Sequence, residues 1–145
     1  MARTSIKLAM MALLLAAAFS WAPFTDFAAA QNAPAAPAVT RTVLLQRDLP
    51  IPGYTEAMVA VELPVGAREG QHKHSGTLVA YVKEGALTLD YEGKPTVTYN
   101  VGETFSVDPG KLHEGMNKGN VTTRLVATFV YPKDQPMTTQ VPKVQ

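Results

Sequence analysis

Three histidines in this 145-residue chain have the side-chain type and spacing that metal chemistry requires. His72 and His74 lie one residue apart, and His113 follows in the stretch DPGKLHEGMN. On an extended strand, side chains two positions apart point to the same face, so His72 and His74 can both face inward while Lys73 faces outward. An antiparallel neighbouring strand could place His113 opposite this pair, which would complete a set of three imidazole ligands.

The alternative is that these histidines are ordinary surface or hydrogen-bonded residues. A single His-x-His pair on a strand is a weak signal for a metal when it stands alone. The choice between a metal site and ordinary histidines therefore depends on the elements that carry them.

The chain after residue 40 reads as short strands separated by turns, without a helical repeat or helix caps. Turn signals such as Glu92-Gly93 and Asp108-Pro109-Gly110 separate runs that alternate apolar and polar residues. The predicted strands are TRTVLLQ, YTEAMVAVELP, TLVAYVK, ALTLDY, TVTYNV, ETFSV and TTRLVATFVYP. This pattern predicts an all-β sandwich or barrel over residues 39–131.

The ends of the chain differ from this central domain. Residues 1–30 combine a basic start (MARTSIK), an apolar stretch and an Ala-rich end, which predicts a signal peptide cleaved after Ala30 and a periplasmic or secreted protein. An uncleaved membrane anchor is the alternative, but the apolar core is shorter than the roughly 20 residues of a spanning helix. Residues 31–38 read as a disordered Pro/Ala tether. Residues 132–145 form a C-terminal tail that could either lie along the barrel or extend from it.

Composition excludes several classes of function. The formal net charge is +1 and the lysines and arginines are scattered, so we expect no nucleic-acid partner. The chain has no cysteine, which excludes disulfides, thiol nucleophiles and cysteine-ligated metals. After signal cleavage no remaining segment is apolar enough to span a membrane, so we expect no membrane contact.

The stretch around the first two histidines resembles the first of the two motifs of the cupin family. That motif runs Gly, five residues, His-x-His, three or four residues, Glu, six residues, Gly. Gly66, His72, His74 and Gly85 fit this pattern. Leu78 stands where the motif has its glutamate.

The stretch around the third histidine resembles the second cupin motif, which runs Gly, five residues, Pro-x-Gly, two residues, His, three residues, Asn. Gly102, Gly110, His113 and Asn117 fit, and Asp108 stands where the motif has proline. Two motifs in order and at this separation are much more specific than either alone. The resemblance implies an all-β, single-domain cupin barrel with jelly-roll topology, which encloses one small ligand.

The resemblance also implies a metal site at His72, His74 and His113, for which Leu78 leaves two interpretations open. In one, three histidines hold a divalent transition metal (Fe, Mn, Zn, Ni or Cu) and leave positions free for water, substrate or dioxygen. In the other, the site has decayed and the histidines support the fold of a binding barrel. Asn117 and Gln71 are polar candidates for hydrogen bonding to the ligands.

Three functions remain open at this point, one of them a metal-free structural barrel that interacts through its C-terminal tail. The first is an exported mononuclear metalloenzyme, dioxygenase-like, that acts on a small organic molecule. The second is a periplasmic barrel that binds a small ligand or a metal without turnover. The cupin resemblance also allows a homodimer that forms through an edge strand.

Overall fold

The computed structural model describes residues 37–142, which form ten β-strands and no helix. Residues 1–30, predicted as a signal peptide, and residues 31–36 of the predicted tether lie outside the described residues. Within residues 37–142, no helix is long and apolar enough to cross a membrane. The all-β prediction is therefore confirmed for the described part of the chain.

The strands form two five-stranded antiparallel sheets that share one core. In chain order they are β1 (Thr40–Asp48), β2 (Tyr54–Leu63), β3 (His72–His74), β4 (Thr77–Glu84), β5 (Ala86–Tyr91), β6 (Val97–Asn100), β7 (Thr104–Val107), β8 (His113–Met116), β9 (Thr123–Pro132) and β10 (Thr138–Gln140). The long-strand sheet has the order β1-β2-β9-β4-β7, and the short-strand sheet has the order β10-β3-β8-β5-β6. This arrangement is consistent with the predicted jelly-roll barrel.

The long-strand sheet buries the alternating apolar residues that the sequence predicted. Ala57, Val59 and Val61 of β2 are at most 5% exposed, whereas Met58 between them is 38% exposed. Strand β9 pairs with β2 over ten consecutive residues, so the buried positions of the two strands lie side by side. Because a shift by one residue would turn every apolar side chain outward, burial fixes this register.

The short-strand sheet carries the histidines. Strand β3 is only three residues long, and it pairs with β8 on one side and with β10 on the other. Strand β10 comes from the C-terminal segment, for which the sequence allowed two positions. The structure places this part of the segment along the barrel, at the edge next to His72–His74.

Two glycines lie where the chain passes from one sheet to the other. At Gly76, between β3 and β4, an added Cβ would lie 1.9 Å from the Val130 carbonyl oxygen. Only a residue without a side chain allows the chain to pass so close to β9. Gly85, at the end of the first motif, has a φ of +70°, which glycine adopts without strain.

Candidate metal centre

The three histidines converge inside the barrel. His72 and His74 lie on β3 with the exposed Lys73 between them, and His72 is directly opposite His113 of β8 in the strand register. All three side chains are buried, at 3%, 4% and 5% exposure. Their ring centroids are 4.2 to 5.0 Å apart. The structure therefore brings together all three residues that the sequence singled out.

Backbone carbonyls orient two of the rings in the same way. The Nδ1 of His72 is 2.9 Å from the carbonyl oxygen of Gly70, and the Nδ1 of His113 is 3.0 Å from that of Lys111. A carbonyl oxygen can only accept, so each Nδ1 carries the proton and donates it. Each Nε2 is then left with a free lone pair, which is the form that binds a metal.

The third ring is oriented by the C-terminal segment. The Nδ1 of His74 is 3.1 Å from the carbonyl oxygen of Met137 and 3.0 Å from Oγ1 of Thr138. By the same argument, the His74 Nδ1 carries its proton and its Nε2 is free to bind. Strand β10 therefore does more than close the sheet, because it fixes one of the ligand side chains.

The free nitrogens lie close enough to share one ion. The Nε2 atoms of His74 and His113 are 3.2 Å apart, and one ligand atom from each of the three histidines falls within 4.8 Å of the others. Two imidazole nitrogens bound to one metal at about 2.1 Å lie roughly 3.0 to 3.4 Å apart. Two lone pairs that face each other at this distance repel unless a cation lies between them. The donor set thus fits a divalent metal.

Burial keeps the three rings neutral. The pKa of His74 is lowered to about 3, mainly because burial penalises its charged form and then because His113 and His72 would repel that charge. Burial also lowers the pKa of His72, and the pKa of His113 is lowered by burial and by His72. All three imidazoles are therefore in the neutral, metal-binding form at neutral pH.

The histidines line a small cavity with mostly apolar walls. Its volume is about 40 Å³, which is room for about three water molecules. Leu78, at the position of the motif glutamate, is 6% exposed and lines this cavity. The long-strand sheet supplies the other apolar walls near it, including Val59, Phe105 and Phe129. The space beside the histidines therefore suits a ligand of a few atoms.

One acidic residue at this cavity was missed by the sequence analysis. Glu69 lines the cavity with its side chain only 13% exposed, and Arg41 of β1 donates to it from Nη2 at 2.7 Å. Glu69 lies in the loop before β3, where no alternating pattern indicates which way a side chain points. The available signal was its position three residues before His72, inside the first motif.

The two polar candidates for support of the ligands are not the residues that do so. Asn117 donates from Nδ2 to the carbonyl oxygens of Leu63 and Val121, so its side chain connects the end of β2 to the loop before β9. Gln71 makes no hydrogen bond to a histidine within the described residues, and Gly70, Lys111 and the C-terminal segment do this instead. The prediction that Asn117 and Gln71 support the histidines was wrong, because the main supporting groups are backbone carbonyls, which every residue has and which the sequence therefore cannot identify.

The departure at Asp108 has a structural explanation. The Tyr91 hydroxyl donates to Oδ2 of Asp108 at 2.9 Å and accepts from the Asp108 backbone N–H at 3.1 Å. This pair of bonds holds the turn before β8 in the place of a rigid proline. The turn thus keeps its position, and His113 keeps its direction.

Comparisons with known proteins agree with this geometry. Residues 59–129, which include all three histidines, match the family described as "Cupin domain". No curated protein sequence matches the chain. The fold is similar to that of a protein with a double-stranded β-helix domain from Klebsiella pneumoniae, with 19% identity, a TM-score of 0.60 and coverage of 77% of this chain and 90% of that one.

Two enzymes are also among the similar structures. Oxalate oxidase in complex with the substrate analogue glycolate has 24% identity, a TM-score of 0.54 and coverage of 60% of this chain and 46% of that one. A DMSP lyase from Ruegeria pomeroyi has 15% identity, a TM-score of 0.56 and coverage of 62% and 45%. At these identities the similarity shows the fold.

Proposed function

We propose that this chain, which belongs to the cupin superfamily, binds one divalent transition metal through His72, His74 and His113. One observation carries the proposal. Every Nδ1 is hydrogen bonded to a carbonyl oxygen, so the three buried Nε2 atoms present free lone pairs to a common centre. Iron, manganese, zinc, nickel and copper all accept imidazole ligands, and the site by itself does not select among them.

We further propose that the protein is a metalloenzyme of the dioxygenase type that acts on a small organic molecule. Three neutral ligands leave coordination positions open and leave the full charge of the ion in place, so the metal would supply Lewis acidity and a site for dioxygen. The apolar wall that includes Leu78 and Phe129 excludes bulk water from that open side. Enzymes with small substrates, such as oxalate oxidase, share this fold, which supports a small-molecule substrate.

The second candidate function is a periplasmic barrel that holds a ligand or metal without turnover. The small cavity favours it, because about 40 Å³ leaves little space for a substrate beside an ion. A protein that keeps its metal but shows no exchangeable coordination position would fit this candidate.

We also propose export and self-association for the full chain. The basic and apolar character of residues 1–30 supports cleavage and release into the periplasm or medium, without later membrane contact. A homodimer is supported by the edge strand β1, where Val43, Leu44 and Leu45 are 47% to 54% exposed. Such a row of apolar residues on a free edge is protected when another strand covers it.

The first experiment measures metal in the protein expressed with its own export signal and purified without a tag from the periplasmic fraction. Mass spectrometry of the intact protein tests cleavage after Ala30 and reports the oligomeric state under native conditions. Elemental analysis should give about one equivalent of metal per chain, which names the ion to test for dioxygen uptake.

The matched control changes His72, His74 and His113 to alanine. Because these are the three histidines of the chain, the variant should lose the metal while circular dichroism shows the same β-sheet content. Absence of metal from the wild-type protein, even after anaerobic reconstitution with iron(II), would contradict the metal proposal.

A further inference from the structure

The cavity beside the histidines contains a carboxylate that the motif does not provide. Among the residues that line it, Arg41 and Glu69 form an ion pair, and the remaining ones are apolar residues, Thr138 and the three histidines. Glu69 is the more buried of the pair, at 13% side-chain exposure against 40% for Arg41. A carboxylate is not buried in such surroundings without compensation.

Several contacts hold this carboxylate in the barrel. Arg41 donates to its Oε1 at 2.7 Å, and the Glu69 backbone N–H donates to the carbonyl oxygen of Gly115 at 2.9 Å. Oε2 lies where a side chain at position 115 would be, since an added Cβ at Gly115 would be only 2.3 Å away from it. The missing side chain of Gly115 therefore makes the space that the carboxylate fills.

The position of Gly115 shows which way this carboxylate faces. Residue 115 is two positions after His113 on strand β8, so both positions point to the same face of the sheet. The Glu69 carboxylate thus occupies the inner-face position next to a predicted ligand. Leu78, at the motif position, leaves the opposite wall without a charge.

The Glu69 carboxylate lies where it would stabilise a divalent ion held by the three histidines. A divalent ion held by three neutral imidazoles keeps its full charge in a small apolar cavity, where a nearby anion stabilises it much more than it would in water. Burial raises the pKa of the Glu69 carboxyl and the Arg41 guanidinium opposes this change, so the carboxylate is costly unless a cation is present. A metal ion would be a second cation beside it.

We propose that Glu69 supplies to this metal centre the negative charge that Leu78, at the position of the motif glutamate, cannot supply. The inference rests on the proposed metal binding by His72, His74 and His113. The cluster of ligand atoms within 4.8 Å of one another consists of the three histidines, so Glu69 acts on the ion across the cavity in this conformation. Arg41 and Gly115 keep it in place.

The test compares the metal affinity of the wild-type protein with that of Glu69→Gln. Apo protein is titrated with Co²⁺ and Mn²⁺ in competition with a chelator. Glu69→Gln should bind both ions about 10- to 100-fold more weakly, which is the range found when a partner of the ligand shell is removed. Adding Leu78→Glu to that variant should restore most of the affinity, because it returns a carboxylate to the cavity at the motif position.

Glu114→Gln is the matched control. Glu114 is also a buried carboxylate and is next to His113 in the chain, but it accepts from Arg68 Nε at 2.9 Å instead of lining the cavity with the histidines. Its substitution should change metal affinity by less than about threefold, because the Arg68 guanidinium donates to both of its carboxylate oxygens and already balances its charge. The thermal midpoint of each apo variant is measured beside the affinity.

The possible outcomes distinguish failure of the charge role of Glu69 from failure of the proposed metal binding by the three histidines. Weaker binding by Glu69→Gln, an apo thermal midpoint equal to or above that of the wild type, and rescue by Leu78→Glu would together support a charge role. An unchanged affinity in Glu69→Gln would overturn the inference while leaving the three-histidine site in place. A loss that Leu78→Glu does not restore, with a lowered apo midpoint, would overturn it in favour of a structural role. If the wild-type protein binds neither ion, the proposed function fails and the inference fails with it.

Discussion

The two sheets of this barrel build stability and chemistry in different ways. Strands β2 and β9 of the long-strand sheet pair over ten residues and bury a continuous row of aliphatic side chains. Strand β3 of the short-strand sheet has three residues, and its buried positions are histidines. Length and apolar burial stabilise the first sheet, whereas hydrogen bonds to backbone carbonyls and to Thr138 of β10 orient the histidines of the second.

The contrast between the two sheets indicates where the protein can tolerate polar groups. The three imidazoles, the Glu69 carboxyl and the Thr138 hydroxyl lie on one side of the cavity, and the facing apolar wall excludes water. A long aliphatic sheet can stabilise the domain without help from the site, so the short strands are free to keep polar groups that add little to folding. Substitutions in the two sheets should therefore have separate consequences.

The largest effect is expected for Leu63→Ala in the long-strand sheet. Leu63 is fully buried at the end of β2 and does not line the metal cavity. The variant should lower the free energy of unfolding by about 2 to 5 kcal/mol, because it removes buried apolar surface and leaves a void. Urea denaturation of the apo protein measures this change, and metal affinity below the unfolding transition should equal that of the wild type.

Val79→Thr is the control for this prediction. Val79 lies in the same sheet on β4 but is 52% exposed, and threonine keeps the branched shape that suits a strand. Its unfolding free energy should change by less than about 0.5 kcal/mol. A large loss of metal binding in folded Leu63→Ala would contradict the assignment of stability to one sheet and of metal binding to the other.

The division also explains how much could be predicted from the sequence. The alternation through Ala57, Val59 and Val61 identified the strands of the long sheet, and the glycine and histidine spacing identified the cupin barrel. Both signals are local, since each comes from residues within about one or two strands of chain.

The missing parts of the site depend on contacts between distant residues. Glu69 meets Arg41 across 28 positions, and His74 meets Thr138 across 64. Neither the loop before β3 nor the three-proline C-terminal segment has an alternation of apolar and polar residues that would indicate which way its side chains point. The three histidines could be identified as one cluster from their spacing, but the groups that orient their rings could not.

The second largest effect is expected for a change of pH. The apo protein should lose stability in acid because the buried histidines of the short-strand sheet have lowered pKa values. The folded-state pKa of His74 is about 3, below the ordinary value of 6.5. Between pH 6.5 and pH 3, the His74 side chain is therefore protonated in the unfolded chain and neutral in the folded one. Stability is then lost as the pH falls from about 6.5, by up to about 1.4 kcal/mol per pH unit for each such histidine. His72 and His113 shift in the same direction.

Urea midpoints of the apo protein at pH 7 and pH 5 measure this loss. Glu69 works in the opposite sense, because its raised pKa lets the folded state take up a proton first as the pH falls, but it is one group against three. The triple alanine variant is the control and should show a much flatter profile over this range. Equal midpoints at pH 7 and pH 5 in the wild type would contradict the neutral-histidine assignment.

The smallest effect is expected for Thr138→Val, which tests whether hydrogen bonds from β10 set the ligand geometry. Valine keeps the size and branching of threonine but removes the Oγ1 that lies 3.0 Å from Nδ1 of His74. Metal affinity should fall about tenfold, at the low end for loss of a ligand's partner, because the Met137 carbonyl still accepts from the same nitrogen. Chelator competition with Co²⁺ measures the change.

Thr139→Val is the matched control for this substitution, since Thr139 is the next residue of β10 and its exposed side chain faces away from His74. The metal affinity of Thr139→Val should equal that of the wild type. In both variants the free energy of unfolding, measured with urea, should stay within about 1 kcal/mol of the wild-type value. Equal affinity in Thr138→Val and the wild type would mean that the Met137 carbonyl alone is enough to orient His74. A selective loss in Thr138→Val would show that the short-strand sheet obtains its precision from single hydrogen bonds, where the long-strand sheet relies on repeated apolar contacts.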